Sequence, residues 1–256
     1  MVRTSPSSQH SRPATHGLAR VISKRGHASR SQAEAMVREG RVAVDGRIVT
    51  DPEARTAAGA AITVDGSPVE AAAKIHLMLN KPRGLVTTRN DPEGRRTVYS
   101  CLEGLELPHV APVGRLDMAS EGLLLFTNDT VWANAVLDGP GAPLKTYHVK
   151  IDRPPDDALV AALQRGVKDA GEHLAARSVR SLREGVRNAW LEIVLDEGRN
   201  RHIRRLLAAF GIETLRLVRV AIGPLELGTL AKGAVRPLTA EEIAALAGNT
   251  FPPQGR

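Results

Sequence analysis

The stretch 113–130, VGRLDMASEGLLLFTNDT, decides how the rest of the chain is read. Leu123, Leu124, Leu125 and Phe126 form an unbroken apolar run, the pattern of a strand covered on both faces. Thr127, Asn128 and Asp129 then supply an N-cap, and TVWANAVL (130–137) begins a helix. Asp117 therefore sits in the loop that enters a central strand, a rigid platform for chemistry. Gly114 and Gly122 bracket the loop and allow tight turns around the carboxylate. Placed beside Arg115, this acid has two readings. It is half of a loop ion pair, or it is a nucleophile held ionised at the edge of a sheet.

The flanking segments supply the rest of a sheet. KIHLMLNKPRGLVTT (74–88) opens with a strand that Pro82 and Gly84 break. RNDPEGRRTV (89–98) is a turn-rich loop carrying three arginines, either a hydrophilic surface or a basic arm for RNA. LKTYHVKI (144–151) alternates, so Lys145, Tyr147 and Val149 share one face. AWLEIVLDEGRNRHIRRLLAAFG (189–211) reads as strand, tight turn and helix, with Ile203, Leu206, Leu207 and Phe210 at i, i+3, i+4 and i+7. Arg201, Arg204 and Arg205 fall on the opposite face. Arginines at a helix N-terminus oppose the helix dipole, a cost that carboxylate or phosphate partners offset. LRLVRVAIGPLEL (215–227) is strand, turn, strand, and Thr239 caps a closing helix.

Upstream lies a separate module. In GLARVISKRGHASRSQAEAMVREGRVAVDGRIVTDP (17–52), a short helix precedes a second one that starts with Ser29 and Gln32 as a capping box. Gly40 stops that helix. RVAVDGRIV follows as two strands about an Asp45-Gly46 turn. Lys24, Arg25, Arg30, Arg38, Arg41 and Arg47 are basic positions of this module, and Lys24, Arg30, Arg38 and Arg41 are placed to grip phosphates of folded RNA. This pattern resembles the S4-type RNA-binding domain.

Composition agrees with a polyanion partner. Residues 1–50 hold nine basic side chains against three acidic ones, so most of the net charge of +7 lies there. Seven aromatic residues in 256 leave little for a broad stacking platform, so backbone and shape contacts by arginine fit better. One cysteine, Cys101, excludes an internal disulfide and a multi-thiolate zinc site, and a reducing cytoplasm is the expected compartment. No segment approaches the ~20 apolar residues of a membrane span.

Rival chemistries lack their residues. There is no Walker loop, GxGxxG, HExxH or G-x-S-x-G. Glu121 and Asp129 are possible partners for Asp117 in a carboxylate pair but have no special setting in the sequence. A single acid with arginine and tyrosine candidates remains.

GRLDMASEGLLLFTND, KTYHV and EGRNRHIRRL, in that order, resemble the motifs of the ribosomal RNA pseudouridine synthases that carry an S4-type domain in front. The resemblance runs from about residue 17 to 245. It implies isomerisation of a uridine to pseudouridine with no cofactor and no metal. It implies Asp117 as the nucleophile that attacks the flipped-out nucleotide at ribose C1′ or uracil C6, Tyr147 as the residue that packs on the base and helps proton transfer, and Arg204 as the arginine paired with the aspartate. Arg115, Arg199 and Arg201 are further candidates for RNA contact. Ala119, Ser120 and His202 depart from the commoner residues of the family, which bears on which uridine is chosen. Loop 88–98 resembles members that act on the large ribosomal subunit, and RPLTAEEIAAL (236–246) resembles those that act on the small subunit as well, so the target leans toward the large subunit.

The expected architecture is α+β: a small helix–helix–hairpin RNA-binding domain, then a mixed, largely antiparallel sheet with flanking helices. The expected boundaries are a disordered basic tail at 1–16, the S4-type domain at 17–66, a linker at 67–74, the catalytic domain at 75–247 and a tail at 248–256. The expected partner is ribosomal RNA or a ribosomal assembly intermediate, bound by a monomer. The competing reading is a non-catalytic S4-type RNA-binding or ribosome-assembly protein, and a third is the same chemistry on another structured RNA.

Overall fold

The computed structural model describes residues 15–138 and 141–248, so both predicted tails lie almost wholly outside the described residues. The chain divides into two compact units, one of residues 1–73 with Leu107–His109, the other of residues 74–106 and 110–256.

The first unit runs β1 (Thr15–Gly17), α1 (Leu18–Lys24), α2 (Arg30–Arg38), β2 (Val42–Val44), β3 (Arg47–Ile48), β4 (Arg55–Ala57), β5 (Ile62–Val64) and β6 (Ser67–Pro68). Ser29 and Gln32 form the expected capping box, and Gly40, at φ 72°, ends α2. Asp45 and Gly46 both take positive φ, as the tight turn between β2 and β3 requires. Leu18, Ile22, Ala33, Val37, Val42 and Ile62 close one small core.

Three sequence expectations change here. Thr15 and His16, assigned to the tail, pair with Ala57 and Thr56. Ser67 and Pro68, assigned to the linker, add an edge strand to the order β3-β2-β5-β6. Arg25, grouped with the exposed cations, spends its guanidinium on the carbonyls of Val69, Ala58 and Ala60. Those carbonyls lie over thirty residues downstream, beyond the reach of local pattern.

The second unit contains β7 (His76–Lys81), β8 (Ala111–Val113), β9 (Glu121–Thr127), α3 (Thr130–Asp138), β10 (Lys145–Ile151), α4 (Asp157–Arg165), β11 (Val167–Asp169), β12 (Glu172–Leu174), β13 (Ser178–Glu184), β14 (Ala189–Leu195), α5 (His202–Ala208), β15 (Thr214–Ile222), β16 (Leu225–Glu226), β17 (Val235–Pro237) and α6 (Ala240–Leu246). Nine of these strands form one sheet, ordered β13-β14-β10-β15-β9-β7-β17, with β16 on β15 and β8 on β9. All its pairings are antiparallel except β15 with β9. The α+β expectation holds.

Strand β9 is the centre. All seven of its residues are buried, and Leu123 to Phe126 are fully inaccessible. Each such side chain contributes about 1.5–3 kcal/mol of burial. β7 runs along one edge of β9. The other edge is shared: Glu121 and Gly122 pair with β15, whereas Leu125 to Thr127 pair with β8. The connection Gly114–Ser120 leaves the sheet where this edge changes partner.

Gly122 makes the hand-over possible. Its φ is +102°, and a Cβ built there would stand 2.2 Å from the Arg219 carbonyl oxygen. Beside it Glu121 is buried and paired with Arg216 (2.8 Å) and Lys232 (2.6 Å), a setting its sequence neighbours gave no hint of. Substituting Gly122→Ala should cost at least about 2 kcal/mol, because the contact is backbone and the φ is wrong for an L side chain. Urea denaturation measures it, and a wild-type midpoint would contradict the close approach.

Candidate active site

The loop between β8 and β9 is held through its backbone. Thr87 Oγ1 donates to the Leu116 carbonyl at 2.6 Å. Lys81 Nζ donates to the carbonyls of Asp117 (3.2 Å), Ser120 (2.8 Å) and Pro82 (3.1 Å). The Gly84 amide donates to Met118 at 2.7 Å, and Arg204 Nη2 to Ala119 at 3.3 Å. Five successive carbonyls, from Leu116 to Ser120, are thus fixed by groups outside the loop, and the Asp117 side chain is what the loop presents. Lys81 is fully inaccessible. Burial pushes its pKa down to about 8, against the opposing pull of Asp117, Cys101 and Glu121.

The Asp117 carboxylate faces two guanidinium groups without a close hydrogen bond to either. Its Oδ2 is 3.9 Å from Arg201 Nη1 and 4.0 Å from Arg204 Nε. Arg204 is oriented by the Thr214 carbonyl (3.3 Å) and by Ala119, and its buried Nε has no hydrogen-bond partner among the described residues. Burial and neighbouring Arg201 push the Arg204 pKa down, and Asp117 pulls it back up. The acid thus faces two cations that donate no hydrogen bond to it, which leaves its lone pairs available, as a nucleophile requires.

A cavity of about 500 Å³ opens over this acid. Asp117, Tyr147, Arg204, Arg115, Arg199 and Arg201 all line it, so six of the predicted residues converge. Tyr147 arrives from β10 and is 8 % exposed, on the face it shares with Lys145 and Val149. The other four predicted residues, Lys24, Arg30, Arg38 and Arg41, belong to the first unit. Arg30 pairs with Glu34 and Glu53, Arg38 with Glu34, and Arg41 with Asp65 and Glu39. Exposed pairs of this kind are worth ~0–1 kcal/mol, so a phosphate can displace the carboxylates.

The arginines at 201–205 do not share one face. Arg201 stands outside the helix as its N-cap, with φ +48°, and so reaches Asp117. Arg204 turns inward, and Arg205 ties Asp169 and Glu172 of the β11–β12 hairpin to α5. Arg199 pairs with Glu197 at 2.7 Å. Each therefore meets a carboxylate, which offsets the unfavourable helix dipole.

Sequence reasoning missed Lys81 and Arg219 as site residues and gave Lys145 no role. A lysine ending a wholly buried strand, just before Pro82, was the available signal for Lys81. His202 is buried in the cavity wall, its Nδ1 3.7 Å from Glu197 Oε1. Burial pushes its pKa down, so the ring is neutral at pH 7. In the arginine-bearing loop, Arg95 is tied to Asp91 and Glu93.

Residues 75–209 match the model of a family described as RNA pseudouridylate synthase. The chain belongs to that family. Residues 17–62 match the S4 domain, so this RNA pseudouridine synthase, an isomerase, carries an RNA-binding module in front. It is 34 % identical over 231 residues to the ribosomal large subunit pseudouridine synthase B of Bacillus subtilis, covering 90 % of this chain and 94 % of that protein. It is 38 % identical over 217 residues to the protein of the same name in Escherichia coli, covering 82 % and 74 %. A solved pseudouridylate synthase superposes with a TM-score of 0.63 at 28 % identity, over 90 % of this chain and 99 % of that one. No helix among the described residues is long and apolar enough to cross a membrane.

Lys81 yields a pH signature. Its folded pKa of about 8 lies below the 10.5 of a free lysine. The folded chain then binds fewer protons between these values, so stability should rise with pH across that window, by about 3 kcal/mol in all. The penalty is complete below pH 8. Lys81→Met should abolish the rise. Parallel stability–pH curves for the two proteins, from urea midpoints, would contradict this account.

Proposed function

We propose that this protein converts a specific uridine of large-subunit ribosomal RNA to pseudouridine, with Asp117 as the nucleophile acting on a flipped-out nucleotide. The observation that carries the chemistry is the Asp117 carboxylate, about one-third exposed in the cavity and flanked by Arg201 and Arg204 at 3.9 and 4.0 Å. The two relatives named for the large ribosomal subunit support the choice of RNA.

In this reading the base leaves its stack and enters the cavity against Tyr147, and phosphate contacts offset the unstacking cost of a few kcal/mol. Asp117 attacks at ribose C1′ or at uracil C6. By either route the N1–C1′ bond breaks, the uracil turns, C5 bonds to C1′, and the C5 proton is released while N1 gains one. Atoms and charge balance without a cofactor. Arg204 faces the carboxylate before attack and stabilises its charge again on release. Tyr147 closes the cavity under the base and assists proton transfer. Arg115, Arg199 and Arg201 surround the entering strand. Lys24, Arg30, Arg38 and Arg41 bind further phosphates of the RNA. The enzyme acts as a monomer in the cytoplasm, on ribosomal RNA or an assembling particle.

Asp117→Asn should abolish tritium release from C5-tritiated ribosomal RNA while leaving RNA binding within about threefold, since the amide keeps the volume but cannot attack. Full activity in that variant would remove Asp117 from the mechanism. Replacing Lys24, Arg30, Arg38 and Arg41 together by Gln should flatten the dependence of binding on salt by up to about 0.7 in log–log slope per lost phosphate contact. An unchanged slope would take those four side chains out of the RNA interface. Pseudouridine mapping of ribosomal RNA with and without the gene identifies the target, and a map with no missing site rejects ribosomal RNA as substrate.

A further inference from the structure

Two buried cations in the cavity wall form no ion pair within 4 Å among the described residues. Lys145 is 7 % exposed and Arg219 6 %. Both line the cavity over Asp117. Arg219 gives its Nε to the Leu123 carbonyl at 2.7 Å, and its buried Nη2 has no hydrogen-bond partner among the described residues. Lys145 forms no ion pair within 4 Å among them, and the Asp138 and Asp196 carboxylates act on it from farther off. Burial lowers the lysine's pKa, Arg219 lowers it further, and the pull of Asp138 and Asp196 does not restore it. The neighbouring arginines differ, since Arg199, Arg201 and Arg204 each face a carboxylate.

An unpaired buried charge costs several kcal/mol, and two like charges side by side cost more. Such a pair persists in a fold where an incoming anion completes it. The sheet shows where that anion lies. Lys145 and Tyr147 share a strand face, roughly 6.6 Å apart along the strand. Tyr147 is directly opposite Arg219 across the β10–β15 pairing, and Arg219 is opposite Gly122 across β15–β9. The two cations therefore flank the tyrosine, beside the start of the strand that Asp117 precedes. Uracil is neutral and does not supply the missing charge. RNA carries one negative charge per nucleotide, on its phosphodiester.

We propose that Lys145 and Arg219 form an anion subsite that binds a phosphodiester flanking the uridine being isomerised. The subsite rests on reading the cavity as the uridine site. It positions the nucleotide: the phosphate is anchored on the sheet, so the sugar and base are delivered between Tyr147 and Asp117. Lys145 and Arg219 take no part in bond breaking.

The test is Lys145→Met, which keeps the volume and removes the charge. In chloride its Tm should equal or exceed that of the wild type, because an unpaired buried charge has gone. Inorganic phosphate, at matched ionic strength, should raise the Tm of the wild type and not that of the variant. On transcribed large-subunit ribosomal RNA, kcat/KM should fall roughly tenfold or more, as for loss of one charge-assisted contact. Lys145→Arg, which retains the charge, should recover both the phosphate response and most of kcat/KM. Substrates with a neutral methylphosphonate 5′ or 3′ of the target uridine should lose activity with the wild type at one linkage, and lose little more with Lys145→Met. The phosphate response involves no isomerisation, so it separates failure of this subsite from failure of the Asp117 assignment. Wild-type kcat/KM in Lys145→Met, or a lowered Tm with an unchanged phosphate response, overturns the proposal.

Discussion

The second unit depends on one constraint, the hydrogen bonding of the carbonyls from Leu116 to Ser120. A loop with that many backbone acceptors inside a sheet domain must satisfy them or lose several kcal/mol. Lys81, Thr87, Gly84 and Arg204 supply the donors. Because the donors come from β7, from the segment after it and from α5, the acid is referenced to three separate parts of the fold. Its position is a property of the sheet rather than of the loop.

Charge is distributed with the same economy. Around the cavity, Arg201 and Arg204 hold Asp117, Arg199 holds Glu197, and Arg205 ties the β11–β12 hairpin to α5. Behind β9, buried Glu121 joins Arg216 and Lys232. These pairs balance locally. Lys145 and Arg219 do not, and this imbalance distinguishes a wall built to hold itself together from one built to receive an anion. Gly122 links the two arrangements, since its missing side chain lets the backbone of Arg219 meet β9.

Much of the local structure was legible because it is written in short-range chemistry. The capping boxes at Ser29 and Thr239 need residues only three apart. The Asp45-Gly46 turn needs two residues tolerant of positive φ. β9 and β10 announce themselves by a continuous and an alternating apolar pattern. The segment 152–188 went unread although Asp156 caps α4 and Gly166 stops it. Its helix α4, the β11–β12 hairpin and β13 carry mixed or exposed faces at the sheet margin.

By itself the sequence determined the kinds of element, the order of the motifs and, through the family resemblance, the candidates for chemistry: Asp117, Tyr147 and Arg204. Only the tertiary structure decided that Arg201 joins Arg204 beside Asp117, that Lys81 is a clamp, and that Lys145 and Arg219 form no ion pair among the described residues. The reason is range. Capping, turns and periodicity act within a few residues, where the chain's own geometry sets the distance. The contact of Asp117 with Arg204, and of Gly122 with Arg219, spans almost a hundred residues and exists only because β15 docks parallel to β9. That pairing is set by burial of a whole sheet face, which no local pattern records.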